Sequence, residues 1–316
     1  MPPIFTSDQL PATTEAALRE FDERYLAVVS AAPAPTWADR FVTGVSAPRT
    51  TFPISLMSTK YNETKEGSSR FETMAEKEFD VKVVEFDAGY EVKALELLTN
   101  AFAYKNFQQV PQRFTIAEGR HVCRELAVLL EAGTSTLSPW DNVNFFSTSH
   151  LANPSKPANG TWSNYNSSAL DPVVLANLTA EITSMRSVRD ENGDKLGVEP
   201  DEIWLPTGKF QAVSNLLSQN MIGNGESNPM LGKLRPVHVP ELADANDWYL
   251  VDSKMIGMGI SPLFAGSFVP SSNLGLRYYD EGSDFFKNTG KVRVSSHIWY
   301  GFGLVMPHAI RRVAGA

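Results

Sequence analysis

The sequence predicts an α+β fold, and three observations carry that prediction. Apolar residues recur every three to four positions in some windows and on alternate positions in others, so both helices and strands are expected. Hydrophobic residues make up 42% and charged residues 20% of 316 residues, enough to build a substantial core. With 21 Gly and 20 Pro the chain sits near the usual background, which excludes collagen, low complexity and wholesale disorder.

The first element expected is an amphipathic helix over residues 14–30, with Leu18, Phe21, Tyr25, Leu26 and Val29 on one face. It stops at Pro33 and Pro35, which impose an extended path toward Trp37 and Phe41. Such a striped helix either docks on its own core or serves as an arm for a neighbour. From Thr51 the residues alternate, with Phe52, Ile54 and Leu56 on one face, and Pro53 marks an edge strand. A second strand reads Phe79, Val81, Val83 and then changes phase to Val84 and Phe86, as a bulge would produce. Residues 60–87 hold five basic and eight acidic side chains, too many to bury in their own core. That connection is either a long solvated hairpin or a projecting arm whose charges meet another subunit.

Residues 113–133 give the clearest helix, striped by Val122, Leu126, Leu129 and Leu130, with Gly133 at the stop. Cys123 lies inside it as a small packing residue. Residues 134–170 are rich in Ser, Asn, Thr and Pro, with Trp140, Phe145, Phe146 and Trp162 among them, and read as an ordered loop pinned by its rings. A helix over 172–186 is expected to start behind Asp171 as cap, with Pro172 at its first position. Then come a short buried strand, EIWLP, a helix over 209–220 carrying Phe210, Val213, Leu216 and Leu217, and the loop MIGNGESNPMLG. Val237 and Val239 mark one strand, and residues 248–251 another. In the last segment Val292, Val294, Ile298, Tyr300, Phe302, Leu304 and Met306 all fall on even positions. Sixteen extended residues would reach roughly 50 Å, so the strand is either broken near Gly301 and Gly303 or laid along an elongated domain. There is no internal repeat.

Composition also limits function. The longest nearly apolar stretches, 255–266 and 298–307, fall short of the roughly 18 residues of a membrane span, so a soluble protein is expected. The opening residues MPPIFTSDQLPATT have neither a basic patch nor an apolar core, so no export signal is expected. Cys123 is the single cysteine, which excludes an internal disulfide and fits a reducing cytoplasm. Glycosylation-type tripeptides at Asn62, Asn159, Asn166 and Asn177 are then chance occurrences. A net charge of −8 argues against a protein whose main task is gripping nucleic acid, though not against one that encloses it.

No catalytic, cofactor-binding or metal-ligating residue is singled out. The phosphate-cradling Gly loop, His-Glu-x-x-His and G-x-S-x-G are all absent. The nearest hydrolytic cluster, WDNVNFFSTSH, crowds Asp141, Ser147, Ser149 and His150 into ten residues. Crowding in a polar loop is weak evidence, because a triad is a spatial arrangement drawn from separate elements. Asp190 to Asp201 has carboxylates in a calcium-loop order but Lys195 and Asp201 where Gly and Glu are needed, so Asn192-Gly193 reads as a tight reversal. His121 and Cys123 share a helix but point about 200° apart and cannot ligate one metal. Arg311 and Arg312 read as a surface pair.

Three stretches in order, FFSTSHLANP with WSNYNSSAL, then MRSVRDENGDKLGVEPDEIWLPTGKFQAVSNLLSQ, then NPMLGKLRPVHVPELADANDWYLVD, resemble the major capsid proteins of tailed phages, in particular the major head subunit of Mu-like phages. The resemblance spans about residues 100–252, and residues 37–90 depart most from the pattern. It implies the Hong Kong 97-type capsid fold, with an N-terminal arm over 1–45 and an extended loop over 46–88. A peripheral domain over 89–194 would include a spine helix at 113–133, followed by an axial domain over 195–285 and a return to the peripheral domain over 286–316. The implied function is structural: self-assembly as hexamers and pentamers into an icosahedral head around double-stranded DNA, with no catalysis, no cofactor and no membrane. Implied partners are other copies, a scaffold, a prohead protease, a portal and decoration proteins, with assembly in the host cytoplasm and residence in the virion. A covalent link from Lys60 or Lys65 to Asn288, known in one branch of the fold, has no support here beyond residue type. The alternatives are an encapsulin-like nanocompartment shell of the same fold and a cytoplasmic hydrolase using Ser147 or Ser149 with His150.

Overall fold

The computed structural model describes residues 18–21, 23, 24, 27, 36–54, 56, 77–222, 225–269, 275–279 and 282–315. Along the chain come β1 (Val42–Val45), β2 (Arg49–Ile54), β3 (Lys77–Lys82) and β4 (Val84–Lys93), then α1 (Ala94–Thr99), α2 (Ala101–Gln108) and α3 (Val110–Ala132). They are followed by β5 (His150–Leu151), β6 (Thr161–Trp162), β7 (Tyr165–Leu170), α4 (Leu175–Met185), β8 (Glu202–Leu205), α5 (Thr207–Ser218) and β9 (Arg235–His238). The chain ends in β10 (Trp248–Val251), α6 (Ser253–Gly257), β11 (Leu263–Phe268), β12 (Leu276–Tyr279), α7 (Asp284–Thr289), β13 (Lys291–Leu304) and β14 (Ile310–Gly315). Helices and strands are mixed as the patterning predicts. No described helix is long and apolar enough to cross a membrane.

The chain divides into two compact units, one of Met1–Pro48, Val83–Cys123 and Gly266–Gly301, the other of Arg49–Lys82, Arg124–Ala265 and Phe302–Ala316. In the first, β13 pairs antiparallel with β4 through ten consecutive positions, from Lys291 opposite Lys93 to Tyr300 opposite Val84, and with β12 along 293–296. Because side chains alternate across a strand, Val292 and Val294 turn to one face and are buried with Val92, Phe107, Val110 and Phe114. The opposite face carries charges matched across strands: Glu91 with Lys291 at 2.6 Å and Arg293 at 3.0 Å, and Glu85 with Arg277 at 3.1 Å and His297 at 2.8 Å. β13 is one unbroken strand of 14 residues, so the alternative with a break at Gly301 and Gly303 is set aside.

The described residues of the first helix, Leu18 to Phe21, Glu23, Arg24 and Ala27, are helical. Phe21 is fully buried, 5.3 Å from the Phe107 ring and edge-on to Tyr278 at 6.0 Å. The Tyr104 hydroxyl donates to Glu20 at 2.5 Å. Of the two options open for this stripe, its described part docks on its own chain, and burying one Phe contributes about 1.5–3 kcal/mol. Tyr25, Leu26, Val29 and the proline linker lie outside the described residues.

The second unit is built on a mixed sheet in the order β7-β14-β10-β8-β9. β10 runs antiparallel to β14 and β8, whereas β14 is parallel to β7 and β8 to β9. All four residues of β8 and of β10 are buried, as the EIWLP and WYLV runs require of central strands. Leu178, Ile182 and Met185 of α4 and Val213 and Leu217 of α5 join that core. The helix expected from Pro172 begins three residues later, at Leu175. Asp171 spends its carboxylate on the Val173 N–H at 3.2 Å and its carbonyl on the Val174 N–H at 3.1 Å, which closes a turn before the helix can start.

β2 and β3 form the hairpin base in this unit, with six antiparallel pairs from Arg49 opposite Lys82 to Ile54 opposite Lys77. Phe52 and Phe79 both pack on Phe264, at 5.0 and 5.9 Å, and Ile54, Leu56, Phe79 and Val81 enter the core. Gly303 is bare because a Cβ there would lie 2.3 Å from the Phe79 ring. The phase change at Val83 and Val84 is not a bulge. It is where the chain leaves β2 as partner and takes up β13, with Val83 alone between the two strands. Residues 57–76, which carry most of the charged connection and both Lys60 and Lys65, lie outside the described residues.

Candidate functional site

The loop after α3 gathers the residues that looked most like chemistry. Gly133 ends the helix, but the reason is contact: a Cβ there would sit 2.5 Å from the Phe146 ring, and the Gly133 N–H donates to Leu130 at 3.2 Å. His150 and Asp141 do meet, Nδ1 to Oδ2 at 2.8 Å, with both side chains sealed from solvent. The other His150 nitrogen faces the Phe145 carbonyl and the Asn164 Oδ1, each at 3.1 Å. Asn164 in turn donates to Phe145 at 2.8 Å and accepts the Ser147 N–H at 2.9 Å. The Ser147 hydroxyl accepts the Ser149 N–H at 3.2 Å. No serine oxygen therefore stands on the histidine, and a base pointed at carbonyl oxygens cannot activate a nucleophile. The cluster holds the loop together.

Aromatic rings complete that arrangement. Trp162 stacks on His150 at 4.7 Å and lies 4.6 Å from His308, while Trp140 meets His308 edge-on at 5.1 Å. His308 is fully buried, and neither ring nitrogen has a protein hydrogen-bond partner among the described residues. Burial, with the charge of His150 beside it, pushes the His308 pKa well below the ordinary 6.5.

A serine–histidine–carboxylate line exists elsewhere, and the sequence reading missed it. Ser295 Oγ is 2.9 Å from His297 Nε2, and His297 Nδ1 is 2.8 Å from Glu85. Two residues two apart on β13 and one from β4 form it, so strand pairing was the only signal that could have found it. It lacks what acyl transfer needs most, because backbone N–H groups of a strand lie in the sheet plane and cannot cradle an oxyanion above it. The cation beside it, Arg277, is bound to Glu85. The line belongs to the charge ladder of that face.

Arg311 and Arg312 are not a surface pair. Adjacent strand residues point to opposite faces, and each face of β14 is covered. Arg311 is buried, its Nε 2.6 Å from Glu181 of α4, with Nη1 donating to the Ser163 carbonyl at 2.9 Å. Arg312 reaches Asp247 at 2.6 Å and donates to the Glu131 carbonyl at 2.8 Å, closing the C-terminal end of α3. The tight reversal and the packing cysteine are as read from the sequence. Gly193 turns the chain at φ 85° with its N–H on the Asp190 carbonyl, and the Asp190 Oδ1 accepts the N–H groups of Asn192 and Asp194, both at 2.9 Å. Cys123 is buried. Among the described residues no group of three or more His, Cys, Asp or Glu could hold a metal ion.

What the described surface offers instead is exposed apolar area. Phe102 and Leu95 are 72% and 62% exposed beside a groove of about 400 Å³ between β4 and α2, and Met258 and Met221 are exposed in the second unit. Side chains of that size in open water mark surfaces for protein contact.

Solved structures place this architecture. The fold resembles the capsid protein of bacteriophage JBD30, with TM-score 0.54 and 15% identity over 66% of this chain and 92% of that one. It also resembles the capsid of cyanophage P-SCSP1u (TM-score 0.51, 11% identity, 90% and 88% covered) and that of an empty GTA particle (0.52, 12%, 90% and 92%). The fold is thus the Hong Kong 97-like fold of phage major capsid proteins. Residues 76–313 match the family model described as phage capsid protein, and the chain belongs to that family. No curated protein matches it. The protein is a structural component of the virion capsid and not an enzyme.

Proposed function

We propose that the chain is the major subunit of a Mu-like phage head, assembling as hexamers and pentamers into an icosahedral shell around double-stranded DNA. The observation that carries this reading is the family match running through nearly all of the sequence after residue 75, joined to a fold likeness that covers 92% of the JBD30 capsid chain. Closed shells are built from heterologous contacts, so each subunit needs several different adhesive patches. The exposed Phe102, Leu95, Met258 and Met221 supply apolar area for them.

In this reading residues 1–45 are an arm moored by Phe21, residues 46–88 an extended loop rooted in the β2–β3 base, and α3 the spine of the peripheral domain formed by 89–194 and 286–316. Residues 195–285 form the axial domain. Scaffold, prohead protease and portal act on the assembling shell in the host cytoplasm. Decoration by a further protein is supported by the JBD30 capsid solved with minor capsid protein trimers, and a precursor shell by the JBD30 procapsid. Bridging segments add avidity at the high effective concentration of a shell, so weak pairwise contacts suffice.

The test is expression of the chain with its scaffold, followed by sedimentation and electron microscopy. Closed shells of five- and six-fold capsomers are expected, and native particles should carry tails and DNA. A chain that stays at 34.8 kDa under every assembly condition would refute the reading, and small shells packed with protein would replace it with a nanocompartment.

A further inference from the structure

The exposed face of α3 carries two arginines on one stripe. Val110, Phe114 and Val122 turn inward, whereas Arg113, Ile116, Ala117 and Arg120 are exposed. At 100° per residue Arg113 and Arg120 fall about 20° apart around the axis and about 10 Å apart along it, so their side chains share one stripe. Glu118, the acidic residue nearest in sequence, lies about 140° away from Arg113 and accepts the Tyr300 hydroxyl at 2.8 Å.

Both guanidiniums are unmatched among the described residues. Arg49, Arg186, Arg235, Arg277, Arg293, Arg311 and Arg312 each meet a carboxylate, but Arg113 and Arg120 make no ion pair or side-chain hydrogen bond there. From residue 97 to residue 117 the chain has no acidic side chain at all, while Lys105 and Arg113 stand in that stretch. In a protein of net charge −8 this face has the opposite sign.

We infer that the Arg113–Arg120 face of α3 is where the shell wall meets the phosphates of enclosed double-stranded DNA. The inference rests on reading the chain as a DNA-enclosing head subunit. Guanidinium forks suit phosphate oxygens, and a DNA strand advances one phosphate about every 3.4 Å, so two arginines about 10 Å apart both find partners in any register. An acidic peptide would have to match them through side chains of fixed spacing. Two contacts per subunit hold DNA weakly and without regard to base sequence. Repeated over a shell they order the outermost layer, while each contact still lets go singly.

Two measurements test this. Purified wild-type chain is titrated with a 30-base-pair duplex of arbitrary sequence at several salt concentrations, alongside the R113Q/R120Q and R113K/R120K variants. The glutamine pair is expected to flatten the log K against log salt slope by about 1.8, two contacts at about 0.9 each, and the lysine pair to restore it. An unchanged slope, or polyglutamate competing as well as duplex at equal charge, would overturn the inference. In cryo-microscopy of native particles, density should bridge α3 to the outermost DNA layer and vanish in R113Q/R120Q particles that still fill. Filled wild-type particles with this face turned outward would overturn the inference alone, whereas wild-type particles without DNA would overturn the underlying reading as well.

Discussion

Replacing Arg311 with methionine isolates the energetics of the second unit. The substitution keeps an unbranched apolar stem in the slot under α4 but removes the guanidinium that meets Glu181 at 2.6 Å and the Ser163 carbonyl at 2.9 Å. Glu181 is left with 5% of its side chain exposed and only Asn166, donating at 2.6 Å, as a described polar partner. A buried charge stripped of its counter-ion costs about 3–5 kcal/mol. For a unit of this size, at roughly 2–4 °C per kcal/mol, the melting temperature should fall by about 6–20 °C. Four of the six tryptophans, Trp140, Trp162, Trp204 and Trp248, lie in this unit, so their fluorescence follows its unfolding. Replacing Glu181 with leucine in the same chain removes the stranded carboxylate and should recover most of the loss, since apolar replacement of a whole buried pair is often neutral or stabilising. The reasoning fails if R311M alone melts within about 2 °C of wild type, or if R311M/E181L is no more stable than R311M.

Three further outcomes are expected. Gly303→Ala should destabilise by about 1–3 kcal/mol in urea, because the new methyl must displace the Phe79 ring; an unchanged midpoint would mean that ring is not fixed. With its folded pKa held below 6.5, His308 binds fewer protons folded than unfolded, so stability should be full above about pH 6.5 and decline on acidification, by up to about 1.4 kcal/mol per pH unit. His308→Leu should flatten that decline, and identical pH profiles for the two proteins would contradict the assignment. Asn228→Ala removes the side-chain amide that donates to the Leu216 and Gln219 carbonyls at 2.7 and 2.9 Å at the end of α5. A loss of about 1–3 kcal/mol and faster proteolysis within 221–232 are expected, and unaltered cleavage would rule out Asn228 as the anchor of that loop.

Much of the fold was legible because burial imposes period on sequence. Val122, Leu126 and Leu130 of the helical stripe, the EIWLP and WYLV strands, and Val292, Val294, Tyr300, Leu304 and Met306 of the even-numbered run are buried as their spacing demands, whereas Leu129, Ile298 and Phe302 are half-buried. What escaped was pairing. Val83 reads as a slip within one strand when the chain is viewed alone, because nothing local tells that β3 and β4 have different partners. Arg311 and Arg312 read as surface charges because the carboxylates that bury them, Glu181 and Asp247, lie 130 and 65 residues away. The polar loop around His150 carried a triad's residue types without a triad's geometry, and Ser295, His297 and Glu85 showed the geometry without residue types that crowd together in sequence. Family resemblance pointed to the shell role in advance, while the unmatched arginines of α3 required knowing which other arginines are already satisfied.

The cross-strand ladder of Glu85, Glu91, Arg277, Lys291, Arg293 and His297 has an outcome for how the particle behaves in suspension. Two carboxylates, Glu85 and Glu91, held about 3 Å from three full cations, Arg277, Lys291 and Arg293, leave this set with one positive charge in excess, and ions screen so small a field within roughly 8 Å at physiological salt. Such a face pulls only weakly on what lies beyond a few ångströms, and what settles on it is chosen by shape at close range.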